Sequence, residues 1–119
     1  MKSQNKKKGN NGEKLALKLL MQKGFSIIEK NYHYSNKGEI DIIARDKDFI
    51  IFVEVKTRFN DKFGAPIDSI TKNKQSQIKK VAEAYLFEKN LENINCRFDV
   101  ITIDFSEGKA KIEHYEDAF

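Results

Sequence analysis

A chain of 119 residues is long enough for one domain with a real core and too short for two. A hydrophobic fraction of 39% and a charged fraction of 34% describe a globular protein with a heavily charged surface, and no apolar run approaches the length of a membrane span. The net charge of +4 and pI near 9.1 lean toward a polyanionic partner. The single cysteine, Cys96, excludes an internal disulfide and any cysteine-built zinc site.

Residues 1–11 hold Lys2, Lys6, Lys7 and Lys8 among Ser, Gln, Asn and Gly. This composition has nothing to bury and predicts a flexible basic arm, serving either to track phosphates or to solubilise the chain. The single domain is expected over residues 12–119. From Gly12 to Lys23, Leu15, Ala16, Leu19 and Leu20 recur at helical spacing, Asn11 is placed to cap the start and Gly24 the end. Lys18 interrupts the apolar segment that would otherwise resemble a signal-peptide core, which points to a cytoplasmic protein with no membrane association. Glu13 falls in the first turn of that helix, where the dipole favours a negative charge. It could equally be a further acid near a metal.

Phe25 to Tyr34 reads as a first strand, turned at Asn36-Lys37-Gly38 into the segment KGEIDIIARDKDFIIFVEVKTR. Two β-rich runs flank Asp46-Lys47-Asp48, which is how a hairpin is written. With Lys47 and Asp48 at the tip, Asp46 pairs with Phe49, Asp41 falls opposite Glu54, and Glu39 opposite Lys56. Like charges across a sheet repel, and the isoleucines and valines around them imply burial on both faces. A divalent cation is the simplest remedy, because Mg²⁺ takes one or two carboxylates and leaves other positions to water and phosphate. Lys56 shares a face with Glu54 and could hold a phosphate or orient an attacking water. The competing reading for each charge alone is a surface salt bridge.

After Arg58 the chain leaves the sheet in a loop, Phe59 to Ser69, placed to touch a substrate. Asp68 or Ser69 is expected to cap a second helix, Ile70 to Lys89, whose first half carries Lys72, Lys74, Lys79 and Lys80 with no acid after Asp68 until Glu83. Asn93 to Ser106 and Lys109 to Tyr115 alternate as a fourth and a fifth strand, the fifth at an edge. Cys96 sits in that alternation as a small core residue. His33 and His114 show no ligand spacing and read as surface or packing residues. Helix, three strands, helix and two strands predict an α/β mixed sheet with helices on its faces.

The residues Gly12-Glu13, Gly38-Glu39-Ile40-Asp41, Phe52 to Arg58, Phe63-Gly64, Lys74, Cys96 to Val100, His114 and Asp117 to Phe119 give a pattern that resembles the YraN-like family. That family is itself similar to the restriction-endonuclease-like PD-(D/E)XK nucleases and to Holliday-junction resolvases. The resemblance implies a restriction-endonuclease-like sheet of about five strands carrying a metal-dependent phosphodiesterase site. In it Asp41 and Glu54 are ligands of Mg²⁺, or of Mn²⁺ in its place, the Val55 carbonyl is a third ligand, Lys56 is the catalytic lysine, and Glu13 matches an acid on the first helix. Here Ile40-Asp41 replaces the superfamily's Pro-Asp.

The function expected is therefore metal-dependent endonucleolytic cleavage of nucleic acid, DNA first, with branched or Holliday-junction-like substrates in view. Arg58, Lys72, Lys74, Lys79 and Lys80 are the candidate phosphate contacts, which position a protein without reading sequence. The alternative is a non-catalytic nucleic-acid-binding or protein-interaction module on the same fold. A resolvase-like role would require a two-fold homodimer, with the strand from Lys109 to Tyr115 and Phe119 as candidate pairing surfaces.

Overall fold

A computed structural model of the chain describes residues 2–60 and 66–119, without the side chains of residues 2–10 and 66. The elements are α1 (Lys2–Gln22), β1 (Ser26–His33), β2 (Glu39–Asp46), β3 (Phe49–Arg58), a 3₁₀ turn (Pro66–Ser69), α2 (Lys72–Glu88), β4 (Asn95–Asp104) and β5 (Lys111–Tyr115). The five strands lie in sequence order in one sheet, antiparallel except for the parallel pair β3 and β4, which α2 connects. The predicted three-stranded antiparallel start, the mixed sheet and the edge position of the last strand are all present. This is the α/β architecture of a restriction-endonuclease-like fold.

The alternation of apolar residues divides the core between the two faces of the sheet. Ala16 and Leu20 of α1 close over Phe25, Ile42, Ile51, Val53, Ile101 and Ile103. On the other face Ile78, Val81, Ala82 and Tyr85 of α2 close over Ile40, Ile43, Ile50 and Phe52. β2 and β3 are buried on both faces because each lies between two neighbours and under both helices. Burying each such aliphatic side chain contributes about 1.5–3 kcal/mol.

Several local expectations are corrected. α1 runs back to Lys2, so Asn11 lies inside it and caps nothing. The Lys and Gln of that segment favour helix enough to carry the backbone past the Asn-Gly stretch. Helix α2 is capped by Thr71, whose hydroxyl accepts the Lys74 N–H at 3.2 Å, because Asp68 and Ser69 are taken up in the preceding 3₁₀ turn. Cys96 is exposed rather than in the core, since it lies one residue into β4, at the rim of the α2 cluster beside an open pocket it shares with Ala82 and Leu86. Gly24 ends α1 as expected, with φ at +90° and the Phe25 N–H returning to the Leu20 carbonyl at 3.0 Å. The Phe63-Gly64 pair and the middle of the loop expected to touch a substrate, residues 61–65, lie outside the described residues.

Candidate active site

The β2–β3 hairpin turns at Lys47-Asp48, with Asp46 opposite Phe49, and its ladder runs in that register to Ile42 opposite Val53. The next positions outward are Asp41 and Glu54, so the two carboxylates do meet. The backbone ladder stops there, and Asp41 Oδ2 accepts the Val55 N–H at 2.8 Å in place of a strand partner. Glu39 consequently does not come opposite Lys56. It faces His33 of β1 instead, with its carboxylate 3.5 Å from the imidazole.

Glu54 is 8% exposed. Burial pushes its carboxyl up to about 8, the adjacent Asp41 carboxylate adds to the rise, and Lys74 and Lys56 pull against it. Lys56 is lowered by its own burial and by the Lys74 ammonium, with Glu54 and Asp41 opposing. Two acids and two lysines thus share one spot, where Asp41 and Lys74 act on Glu54 and Lys56, and a cleft holding such perturbed groups is a candidate functional site. Asp41, Glu54 and Lys74 line a cavity of about 190 Å³ between the sheet and α2, completed by Glu39 and Gln77 over a floor of Ile78 and Val81.

Glu13 reaches this region from the other helix. It is half-buried, and burial, then Asp41, then Glu39 raise its carboxyl, with Lys30 opposing. Its place well inside α1 removes the helix-dipole explanation, since no acid stands in the first turn. What brings it close is Gly12: a Cβ there would sit 2.7 Å from Thr57 Oγ1 and 3.3 Å from Ile103 Cδ1, so only glycine lets α1 rest directly on β3.

The donor set fits a small oxygen-seeking dication. Two carboxylates converge, and the Val55 carbonyl leaves β3 on the same edge as the N–H bound to Asp41, where the ladder with β2 has ended. Among the described residues no three His, Cys, Asp or Glu side chains gather where they could hold a metal ion. Two carboxylates and a carbonyl would leave the other positions of Mg²⁺ to water and phosphate oxygens.

The remaining basic residues divide. Lys74 faces the cavity, and Lys72 and Lys80 stand on the exposed face of α2. Lys79 rests over the rings of Phe98 and Phe119, 5.8 Å from each centroid. Arg58 is tied to Asp104, donating Nε at 3.2 Å and Nη2 at 2.7 Å to one oxygen. Phe119 stacks on Phe98 within the chain at 5.3 Å, which occupies it as packing.

Sequence reasoning passed over Gln77. Its Nε2 donates to the Lys37 carbonyl at 2.8 Å and its side chain covers Gly38, so it fastens the β1–β2 turn to α2. Its spacing of three from Lys74 on one helix face was the available signal. Also missed was a second polar cluster on the α1 face. Asp99, fully buried, accepts from Arg97 Nε at 2.8 Å and from the Asp117 N–H at 3.0 Å, and pairs with His114 Nε2 at 2.8 Å, while Lys23 Nζ meets His114 Nδ1 at 2.8 Å. His114 is thereby a packing residue, and His33 an exposed one.

The five-stranded mixed sheet with a helix on each face has the restriction-endonuclease-like architecture, and Asp41, Glu54 and Lys56 stand at the open end of its central hairpin. The chain belongs to the uncharacterised protein family UPF0102, the YraN family, whose model matches residues 12–103. It is 49% identical to the UPF0102 protein of Clostridioides difficile (strain 630), over 97% of this chain and 98% of that one. It is 47% identical to the UPF0102 protein of Clostridium perfringens (strain SM101 / Type A), over 100% and 98%. To that of Syntrophus aciditrophicus (strain SB) it is 44% identical, over 98% and 91%.

Proposed function

We propose that this protein is a metal-dependent endonuclease that hydrolyses phosphodiester bonds in DNA, branched or Holliday-junction-like structures included. The observation that carries the reading is the buried Glu54 against the half-buried Asp41, with Lys74 in the same cavity and Lys56 beside it. Asp41, Glu54 and the Val55 carbonyl would hold Mg²⁺ or Mn²⁺. Such an ion supplies charge neutralisation at a phosphate and lowers the pKa of a bound water.

The chain's own residues do the rest. Asp41 anchors the start of β2 to β3 through the Val55 N–H and so fixes the distance between the two carboxylates. Lys56, on the face of Glu54, places a positive charge where a phosphorane would form, the kind of preorganised stabilisation that accelerates a reaction most. Lys74 brings a second charge from α2, and the apolar floor of Ile78 and Val81 limits water in the cavity. Glu13 stands at the edge of the site, where a carboxylate can accept from a water or a sugar hydroxyl.

The test is cleavage of a labelled panel, four-way junction, flap, single strand and duplex DNA plus RNA, by wild type, Asp41→Ala and Lys56→Ala. We expect cutting with Mg²⁺ or Mn²⁺, none in EDTA, and a loss of at least about 100-fold in both variants. Intact binding with no cutting by wild type would leave a non-catalytic binding module.

A further inference from the structure

Beyond the carboxylate cavity lies a larger groove that the proposed chemistry does not use. It measures about 620 Å³ and lies between the β1–β2 turn and the first turns of α2. Asn36 and Lys37 form one wall and Asn73, Ser76 and Lys80 the other, while Lys74 and Gln77 line the groove and the cavity both, so the two spaces adjoin at these two side chains. Among the described residues no acid lines the groove, although the chain carries 18 of them. Amides, hydroxyls and ammonium groups are hydrogen-bond donors that suit phosphate oxygens and would leave a basic or apolar peptide poorly matched.

The walls are also held in place. The bond from Gln77 Nε2 to the Lys37 carbonyl ties the turn to the helix at 2.8 Å. Gly38, at a φ of +146°, lies so near α2 that a Cβ would come within 3.3 Å of both Gln77 Cγ and Val81 Cγ2. The groove is therefore a preformed feature, whose width is set by a residue that also faces the carboxylates.

We infer that this groove is the seat of the phosphates next to the scissile one: a single sugar-phosphate backbone runs between Asn36-Lys37 and Asn73-Ser76-Lys80 and enters the cavity past Lys74 and Gln77. The inference deepens the endonuclease reading and rests on it for the direction of the strand's entry. Lys37 and Lys80, both exposed and on opposite walls, are the two charges that contact flanking phosphates.

The experiment measures binding of the full chain to a fluorescein-labelled single-stranded DNA oligonucleotide in EDTA, across a salt titration. Wild type is compared with Lys37→Ala/Lys80→Ala and with a control, Lys47→Ala/Lys89→Ala, at the opposite end of β2 and α2. All four side chains are exposed, so equal melting temperatures check that the fold is kept. Removing one lysine–phosphate pair should flatten the slope of log K against log salt by about 0.7 on a single strand. We expect the groove variant to lower that slope by roughly 1.4 and to bind about tenfold or more weakly, and the control to stay near wild type. Equal weakening of the two variants, or no binding by wild type, overturns the groove. Groove-dependent binding together with no cleavage in Mg²⁺ of the oligonucleotide or of any junction, flap or duplex DNA of the panel upholds the groove and overturns the endonuclease reading alone.

Discussion

Glu54 is held in a place where its charge is costly. Its carboxyl, ordinarily near 4.5, is pushed up to about 8, first by burial and then by Asp41. Between those two values the folded chain keeps a proton that the unfolded chain releases, so this residue makes stability fall as pH rises through that window. Glu54→Gln should accordingly melt higher than wild type above pH 8 in EDTA, by roughly 5 °C, with the gain shrinking toward pH 4.5. A melting temperature equal to wild type at high pH would mean that Glu54 is solvated and the site reading is wrong. A stability cost retained at one buried acid is what a site built for a cation, and not for stability, would show.

At the level of elements, α1 and β3 meet through Gly12. Gly12→Ala would drive a methyl onto Thr57 Oγ1 and Ile103 Cδ1, and should cost about 1–3 kcal/mol in denaturant unfolding. It should also displace Glu13 from Asp41, so any activity should fall further than in a surface variant of equal stability. The hairpin was readable because two β-branched runs flank a polar tip. Counting outward from the two-residue turn at Lys47-Asp48 put Asp41 beside Glu54. What it could not give was the end of the ladder, since a carboxylate replacing a strand partner at the Val55 N–H leaves no trace in periodicity. Nor could it choose Thr71 over Ser69 as a cap, because a 3₁₀ turn and a helix start use the same residues. Gln77 was hidden for a related reason: its partner is a backbone carbonyl distant in sequence.

For the molecule as a whole, two more carboxylates set the acid limit. Burial alone would raise Asp99, but hydrogen bonds from His114, Arg97 and the Asp117 N–H outweigh it and hold the carboxyl below 3.8. Asp104 is lowered from the same value by Arg58 and Ser106. Groups depressed in the folded state stabilise it above the unfolded pKa, and that contribution is lost as pH falls through the folded one. Together with Glu54 this gives a metal-free stability profile that peaks on the acid side of neutrality, falling below about pH 4 and declining again toward pH 8. Melting temperatures across pH in EDTA would show it, and Mg²⁺ should flatten the alkaline decline by favouring the charged form of Glu54. A flat profile in EDTA would contradict the environments of all three acids. Among the described residues no helix is long and apolar enough to cross a membrane, as composition had indicated.

The one parallel pairing in the sheet also orders events in time. β3 is matched to β4 from Phe49 opposite Asn95 to Arg58 opposite Asp104, the most extensive pairing between any two elements, and it joins segments far apart along the chain. The hairpin of β2 and β3 can close within microseconds from local contacts, whereas this pairing waits on the closure of a long loop through α2. On a ribosome the two carboxylates would emerge together while still in water, as ordinary acids. Only when the last third of the chain arrives to supply β4, and α2 folds down over them, does the medium around Glu54 change and its proton affinity rise. A nascent or truncated chain lacking β4 would thus carry both carboxylates without the raised proton affinity of Glu54.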